Sequence, residues 1–227
     1  MDERSYLRVG AGALIVGGVF AAVGNLLHPR YPNMEDVDVY RKLAHSGAWR
    51  VADGLILVAL VLVIAGATSV AASIEASRWG VLARYGRMAT VIGGSIALAA
   101  TSLDMFAFKE EAQNFATAGA RDATSAFWAT HAIDKIGVGL FNVWTIVFLG
   151  LAPVLIGLAM LRSDRFPPWL GAIASIGGAA CVVVGTIGLF RTDQSDLNIP
   201  FFMGSLLVTV WYLATGVLAW RSTAATA

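Results

Sequence analysis

Five polar side chains interrupt the longest apolar run of the chain: His131, Asp134, Lys135, Asn142 and Thr145. At about 100° per residue they fall on one helical stripe roughly 100° wide. The stretch after Lys135 is apolar nearly all round, which suits a helix in lipid. Lipid offers polar groups no partner, so the stripe has to face protein or a wet cavity. Asp104 and Asp134 carry the chemistry best. Both sit near span ends, where an ionised acid is costly, so each is paired or protonated, and either state serves acid/base catalysis. With His131 they form the catalytic set that this pattern predicts. His28, His45, Trp49, Asp53, Lys135, Asn142, Thr145 and Arg191 are the residues expected to line a substrate-binding pocket around it.

Each of these groups also has a structural reading. Asp134 and Lys135 are adjacent, and neighbours in a helix do not face each other, so Arg191 or Lys109 is the better counter-ion. Such pairs would form a lattice that pins spans three to five. Asn142 and Thr145 lie one to two turns deeper, where interhelical hydrogen bonds of about 0.6 kcal/mol explain them as well as a cavity does. The three histidines invite a metal, yet there is no His-Glu-x-x-His and no pair at i and i+4. No metal or other cofactor is therefore expected. Cys181, the single cysteine, has no histidine close by, and no Gly-x-Ser-x-Gly, phosphate loop or dinucleotide fingerprint is present.

Composition dictates the scaffold that holds these residues. Hydrophobic residues make up 57% of the 227, charged residues only 14%, and mean hydropathy is +0.70. Apolar runs near 20 residues recur along the chain, and about 20 are needed to cross a hydrocarbon core roughly 30 Å thick. The fold class is all-α: a polytopic membrane protein with a bundle of six transmembrane helices and a short surface helix in the outer loops. Residues 1–227 read as one six-helix transmembrane domain, with spans at about 7–27, 51–72, 88–108, 133–161, 169–190 and 199–220. The lipid bilayer is the expected environment. A net charge of +1 with no basic tract gives no sign of nucleic acid.

Between the spans, Asn33-Met34-Glu35-Asp36 reads as a helix cap with acids in the first turn. The Ala-rich polar insert from Lys109 to Thr130 is expected to put a helical turn on the membrane surface. Pro153 is expected to kink span four without breaking it. Tryptophans 49, 79, 169, 211 and 220 read mostly as interfacial anchors. Arg4, Arg8, Arg78, Arg84, Arg87, Arg162, Arg165 and Arg221 lie in the terminal segments and short links of one side, beside span ends, and the other side holds as many Lys and Arg in its longer loops. That places both termini in the cytoplasm and the protein in the inner (cytoplasmic) membrane. Histidines and span-end acids then lie at the outer face. In span five, Gly171, Ser175, Gly178, Cys181, Gly185 and Gly188 form a small-residue stripe, a seat for a helix partner or a second copy of the chain.

His28-Pro29 closes span one, Ala44-His45 with Trp49 leads into span two, and Asp104-Met105-Phe106-Ala107-Phe108-Lys109 closes span three. These landmarks resemble those of an uncharacterised family of small six-span bacterial membrane proteins, common in actinobacteria. The resemblance covers roughly the first half of the chain, implies six spans and brings no activity with it. Asp53 stands where the resemblance implies a histidine. The expectation is an integral membrane protein with an outward-facing polar pocket among spans one to four. It would act as an enzyme whose buried carboxylates do acid/base chemistry on a lipid-like or isoprenoid-like substrate. Two alternatives stay open: a non-enzymatic accessory subunit, and a metal-binding or proton-coupled transport protein.

Overall fold

Apolar helices of this length satisfy every backbone group internally, which is what a chain in lipid requires. The computed structural model describes residues 3–29, 37–119, 121–191 and 197–224, and the chain is 90% helical with no strand among them. Helix α1 covers Glu3–Leu27, α2 Val37–His45 and α3 Gly47–Ile74. Helix α4 (Gly80–Ser102) runs through a π-helical segment, Leu103–Phe108, into α5 (Lys109–Thr117). Likewise α6 (Ala123–Trp144) runs through a second π-helical segment, Thr145–Leu151, into α7 (Ala152–Met160). Helices α8 (Pro168–Phe190) and α9 (Asn198–Ala224) complete the set. Six of these stretches are long and apolar enough to cross a membrane, so the protein is a multi-pass membrane protein. The cap expected at residues 33–36 lies outside the described residues.

Short links make consecutive spans antiparallel neighbours. The six succeed one another in chain order around a ring, which α1 closes by packing against both α3 and α9. Glycine sets how close the walls come. A Cβ added at Gly171 would stand 2.5 Å from the Gly157 carbonyl oxygen, and one at Gly157 would stand 2.7 Å from that of Gly171. Gly178 meets Gly150 and Val154, Gly185 meets Ile146, and Gly188 meets the Asn142 side chain. The span-five stripe, expected to seat a partner helix or second copy, is therefore filled by the fourth span of the same chain. The physical reason is the link after Met160, too short to send α8 anywhere but back along α7.

Two other expectations change. Residues 109–130 do not form a separate surface element, because α5 and the start of α6 continue the third and fourth spans to 38 residues each. At 1.5 Å per residue such helices run about 57 Å, well beyond a hydrocarbon core of about 30 Å. Their extensions hold α2, whose Tyr40, Leu43 and Ala44 are buried with Phe108, Ala112 and Phe115. Trp49 and Trp211, at 3% and 1% exposure, are core residues and not anchors. Pro153 has no N–H for the helix ladder, and the second π-helical segment ends two residues before it, absorbing the mismatch.

The end of the bundle that carries both termini is held by arginine. Arg165 bonds Glu3 at 2.7 Å and the Ser73 carbonyl at 3.0 Å, and Arg87 meets Glu75 at 3.0 Å. Arg8 stacks over Trp220 at 4.9 Å and Arg162 over Trp79 at 5.3 Å.

Candidate functional site

At the opposite end of the bundle, proline shapes the first functional side chain. Pro29 disfavours helix at the residue before it, so α1 stops at Leu27 while the His28 N–H still donates to the Gly24 carbonyl at 2.9 Å. The imidazole is thereby turned off the helix axis. Its Nδ1 lies 3.2 Å from the Pro29 carbonyl oxygen. A carbonyl can only accept, so Nδ1 carries the hydrogen and Nε2 is the atom that faces inward. Nε2 stands 3.4 Å from Asp53 Oδ1 and 3.9 Å from Asp104 Oδ2.

Asp53 comes from the second turn of α3 and Asp104 from the first π-helical segment. π-Helical turns inside α-helices occur frequently at functional sites. Exposure is graded across the trio: Asp53 is 2% exposed, His28 26% and Asp104 35%. Asp53 therefore forms the floor, and the other two form a rim. Among the described residues, the second carboxylate oxygen of Asp53 is buried without a hydrogen-bond partner. One turn before Asp53, Trp49 packs its ring 4.3 Å from that of His28. Burial works against a charged imidazole, but the two carboxylates, Asp104 and Asp53, outweigh it and raise His28 to about 9.

The residues singled out in the sequence separate into groups. His28, Asp53, Asp104 and Trp49 converge on one point. Asp134, half-buried on α6, is close enough for its charge to act on Asp104. His131 is turned the other way: its Nδ1 meets the Tyr40 hydroxyl at 3.1 Å, and its ring stacks on Phe127 at 5.7 Å. It belongs to the aromatic cluster around α2 and stands apart from the Asp104 group. His45 is exposed at the end of α2, Lys135 is exposed on α6, and Arg191 is exposed just past α8. Asn142 packs on Gly188 of α8, and Thr145, buried in the second π-helical segment, has no hydrogen-bond partner for its hydroxyl among the described residues. The deep end of the stripe thus faces the fifth span.

Lys109 is the residue whose task spacing did not reveal. Instead of neutralising Asp134, its ammonium donates to the carbonyls of Leu43, Ala44 at 3.0 Å and Ser46 at 2.7 Å. These are the last carbonyls of α2 and the corner into α3, where a helix end attracts a cation. Its 3% exposure and its apolar neighbours Phe108 and Ala112 show a buried cap. Only the flanking apolar residues in Phe108-Lys109-Glu110-Glu111-Ala112 hint at this in the sequence.

Residues 11–216 match a family model described as Domain of unknown function (DUF4386). No curated protein and no solved structure matches the chain.

Proposed function

The chain belongs to the DUF4386 family, and because that description names no activity, we propose one from the geometry. The protein is an integral membrane enzyme whose centre is the convergence of His28, Asp53 and Asp104, with Asp134 behind it. Its carboxylates supply acid/base chemistry to a lipid-like or isoprenoid-like substrate that enters from the bilayer. The observation that carries this reading is the graded trio itself: one buried acid, a histidine fixed through Nδ1, and a second acid on the rim. A purely structural ion pair has no use for a rim that stays open. Leu26, Leu27 and Phe106, adjacent in sequence to the rim residues or nearly so, are exposed apolar side chains, which suits a substrate with a lipid tail. Proton addition at one end of a carbon–carbon double bond and removal from the carbon beyond its other end, a 1,3 shift of the double bond, balances without any co-reactant.

The test uses purified protein in nanodiscs made from a bacterial total lipid extract, read by liquid chromatography that resolves isomers ahead of mass spectrometry. A species converted by the wild type and left intact by Asp104→Asn, at equal melting temperature, is the expected result. If no species changes, the enzymatic reading is lost. A protein that co-purifies equally with both forms would put the accessory-subunit reading in its place.

We further place the protein in the inner (cytoplasmic) membrane with both termini cytoplasmic. Both ends of the bundle hold eight Lys or Arg, and what supports this placement is that those of the arginine end sit beside span ends and in short links, where cytoplasmic charge counts most. In intact cells, Ala118→Cys should react with a membrane-impermeant thiol reagent and Ser163→Cys should not. The native Cys181 is fully buried and gives no background. The opposite labelling pattern would invert the protein and move the His28 centre to the cytoplasmic face.

A further inference from the structure

Three donor atoms, one from just past α1, one from α3 and one from the first π-helical segment, meet at the end of the bundle away from the termini. His28, Asp53 and Asp104 each offer one ligand atom, and all three atoms lie within 4.8 Å of one another. We propose that this point is a divalent-cation site of the zinc, manganese or iron class, held by His28 Nε2 and one carboxylate oxygen from each aspartate. The inference rests on reading these side chains as the functional centre and adds the ion that they hold; with both aspartates on the ion, Asp134 is the carboxylate left to move protons.

The histidine tautomer already favours a cation. With its Nδ1–H given to the Pro29 carbonyl, His28 aims Nε2 at two carboxylate oxygens, so that edge of the ring has to meet either a proton or a metal ion. Three electron-rich atoms aimed at one point repel unless a cation sits among them. A metal-bound histidine typically donates its other ring N–H to a carbonyl in this way, which fixes the ring and raises its basicity.

A proton satisfies the trio less well than a metal ion does. A single proton on Nε2 reaches the Asp53 oxygen at 3.4 Å, but at 3.9 Å it makes no hydrogen bond to Asp104. The other Asp53 oxygen, in a side chain only 2% exposed, has no hydrogen-bond partner among the described residues, and it is free to join the first on an ion, as carboxylates bind mono- or bidentately. Two carboxylates and an imidazolium also leave a net negative charge at a partly buried site, which is unfavourable. A divalent ion balances the two carboxylates and gives each a partner.

Spacing and donor type narrow the ion. Tetrahedral ligands at about 2.0–2.2 Å from zinc lie about 3.4 Å apart, so Asp53 and His28 already fit and Asp104 needs a small inward turn. One imidazole with two carboxylates suits zinc, iron or manganese. Calcium and magnesium favour oxygen throughout, and copper(I) favours sulfur. Three protein ligands with one open position is the arrangement of catalytic zinc sites. The exposure of Asp104 puts that open position on the rim, where the ion would polarise a substrate oxygen.

The experiment measures binding without turnover. Full-length protein is stripped with a chelator and titrated with Zn²⁺ and, separately, Co²⁺. One ion per chain is expected, with affinity lowered at least about tenfold in His28→Gln and Asp53→Asn and unchanged in Glu110→Gln, an exposed acid on α5. Co²⁺ bound to the wild type should give a d–d absorption spectrum of a four- or five-coordinate site with nitrogen ligation. That spectrum decides the matter even if a variant does not fold. An octahedral aquo-type Co²⁺ spectrum, no stoichiometric binding, or equal weakening by Glu110→Gln would overturn the site. Lipid conversion that persists in chelated wild type would sink the ion and leave the enzyme. A bound ion with no lipid converted would do the reverse.

Discussion

Lys109→Met is expected to release α2 from the rest of the protein. Lys109 is 3% exposed, and its ammonium donates to three carbonyls at the corner between α2 and α3. Methionine keeps the apolar stem but leaves those carbonyls with one remaining side-chain donor, Gln113 Nε2, at 3.4 Å from the Ala44 oxygen. Hydrogen bonds from a charged donor are worth about 1.5–3 kcal/mol each, partly offset by no longer burying the charge, so a loss of about 3 kcal/mol is expected. The effect should be local. Hydrogen exchange should rise across Val37–His45 and stay unchanged in α7 and α8, which do not touch Lys109. Lys109→Arg should not restore protection, because a planar fork cannot converge on three carbonyls as an ammonium does. Because Trp49 leads out of the same corner and packs on His28, the ligand affinity of the His28 centre should fall along with α2 protection. Unchanged exchange in α2 would show that Tyr40, Leu43 and Ala44 hold the helix by packing alone.

Gly171→Leu is expected to cost more, at the other wall of the ring. The added Cβ would meet the Gly157 carbonyl oxygen at 2.5 Å and the Leu161 backbone nitrogen at 2.8 Å. Backbone cannot swing away as a side-chain tip can, so α7 and α8 have to separate along their length. Overpacking usually costs about 1–3 kcal/mol, and a clash with two backbone atoms belongs at or above the top of that range. A large fall in melting temperature in detergent is the expected reading. Gly137→Ala supplies the contrast, since no atom lies within 4 Å of a Cβ added there. Removing a mid-helix glycine at an open position should stabilise by up to about 1 kcal/mol. If the two substitutions behave alike, the glycine seam is not what brings α7 and α8 together.

The order of amino acids is enough to establish several features. Apolar runs of span length, together with lipid's demand that every backbone group be paired, determine a multi-pass helical membrane protein. Proline after His28 determines where α1 stops, and the span ends determine that His28, Asp53 and Asp104 lie at the same end of the bundle. The arginine end is equally legible, because its charges sit in short links. Which of these side chains meet is another matter. Periodicity says which residues share a face of one helix, but not which neighbour that face meets. The stripe from His131 to Thr145 is a single face on paper. In the ring its start turns to Tyr40 and its deep end to Gly188, because α6 lies between different neighbours along its length. The span-five glycines could have seated any helix, and the short link after Met160 gave them α7. Lys109 could have paired with an acid, and the folding of α2 onto α5 put three carbonyls within its reach instead. Asp104 depends on a π-helical turn that shifts the register between α4 and α5, and no spacing rule marks where such a turn falls. Local chemistry and span length were determined one helix at a time; rotation, neighbour and register were decided only when six helices closed into a ring.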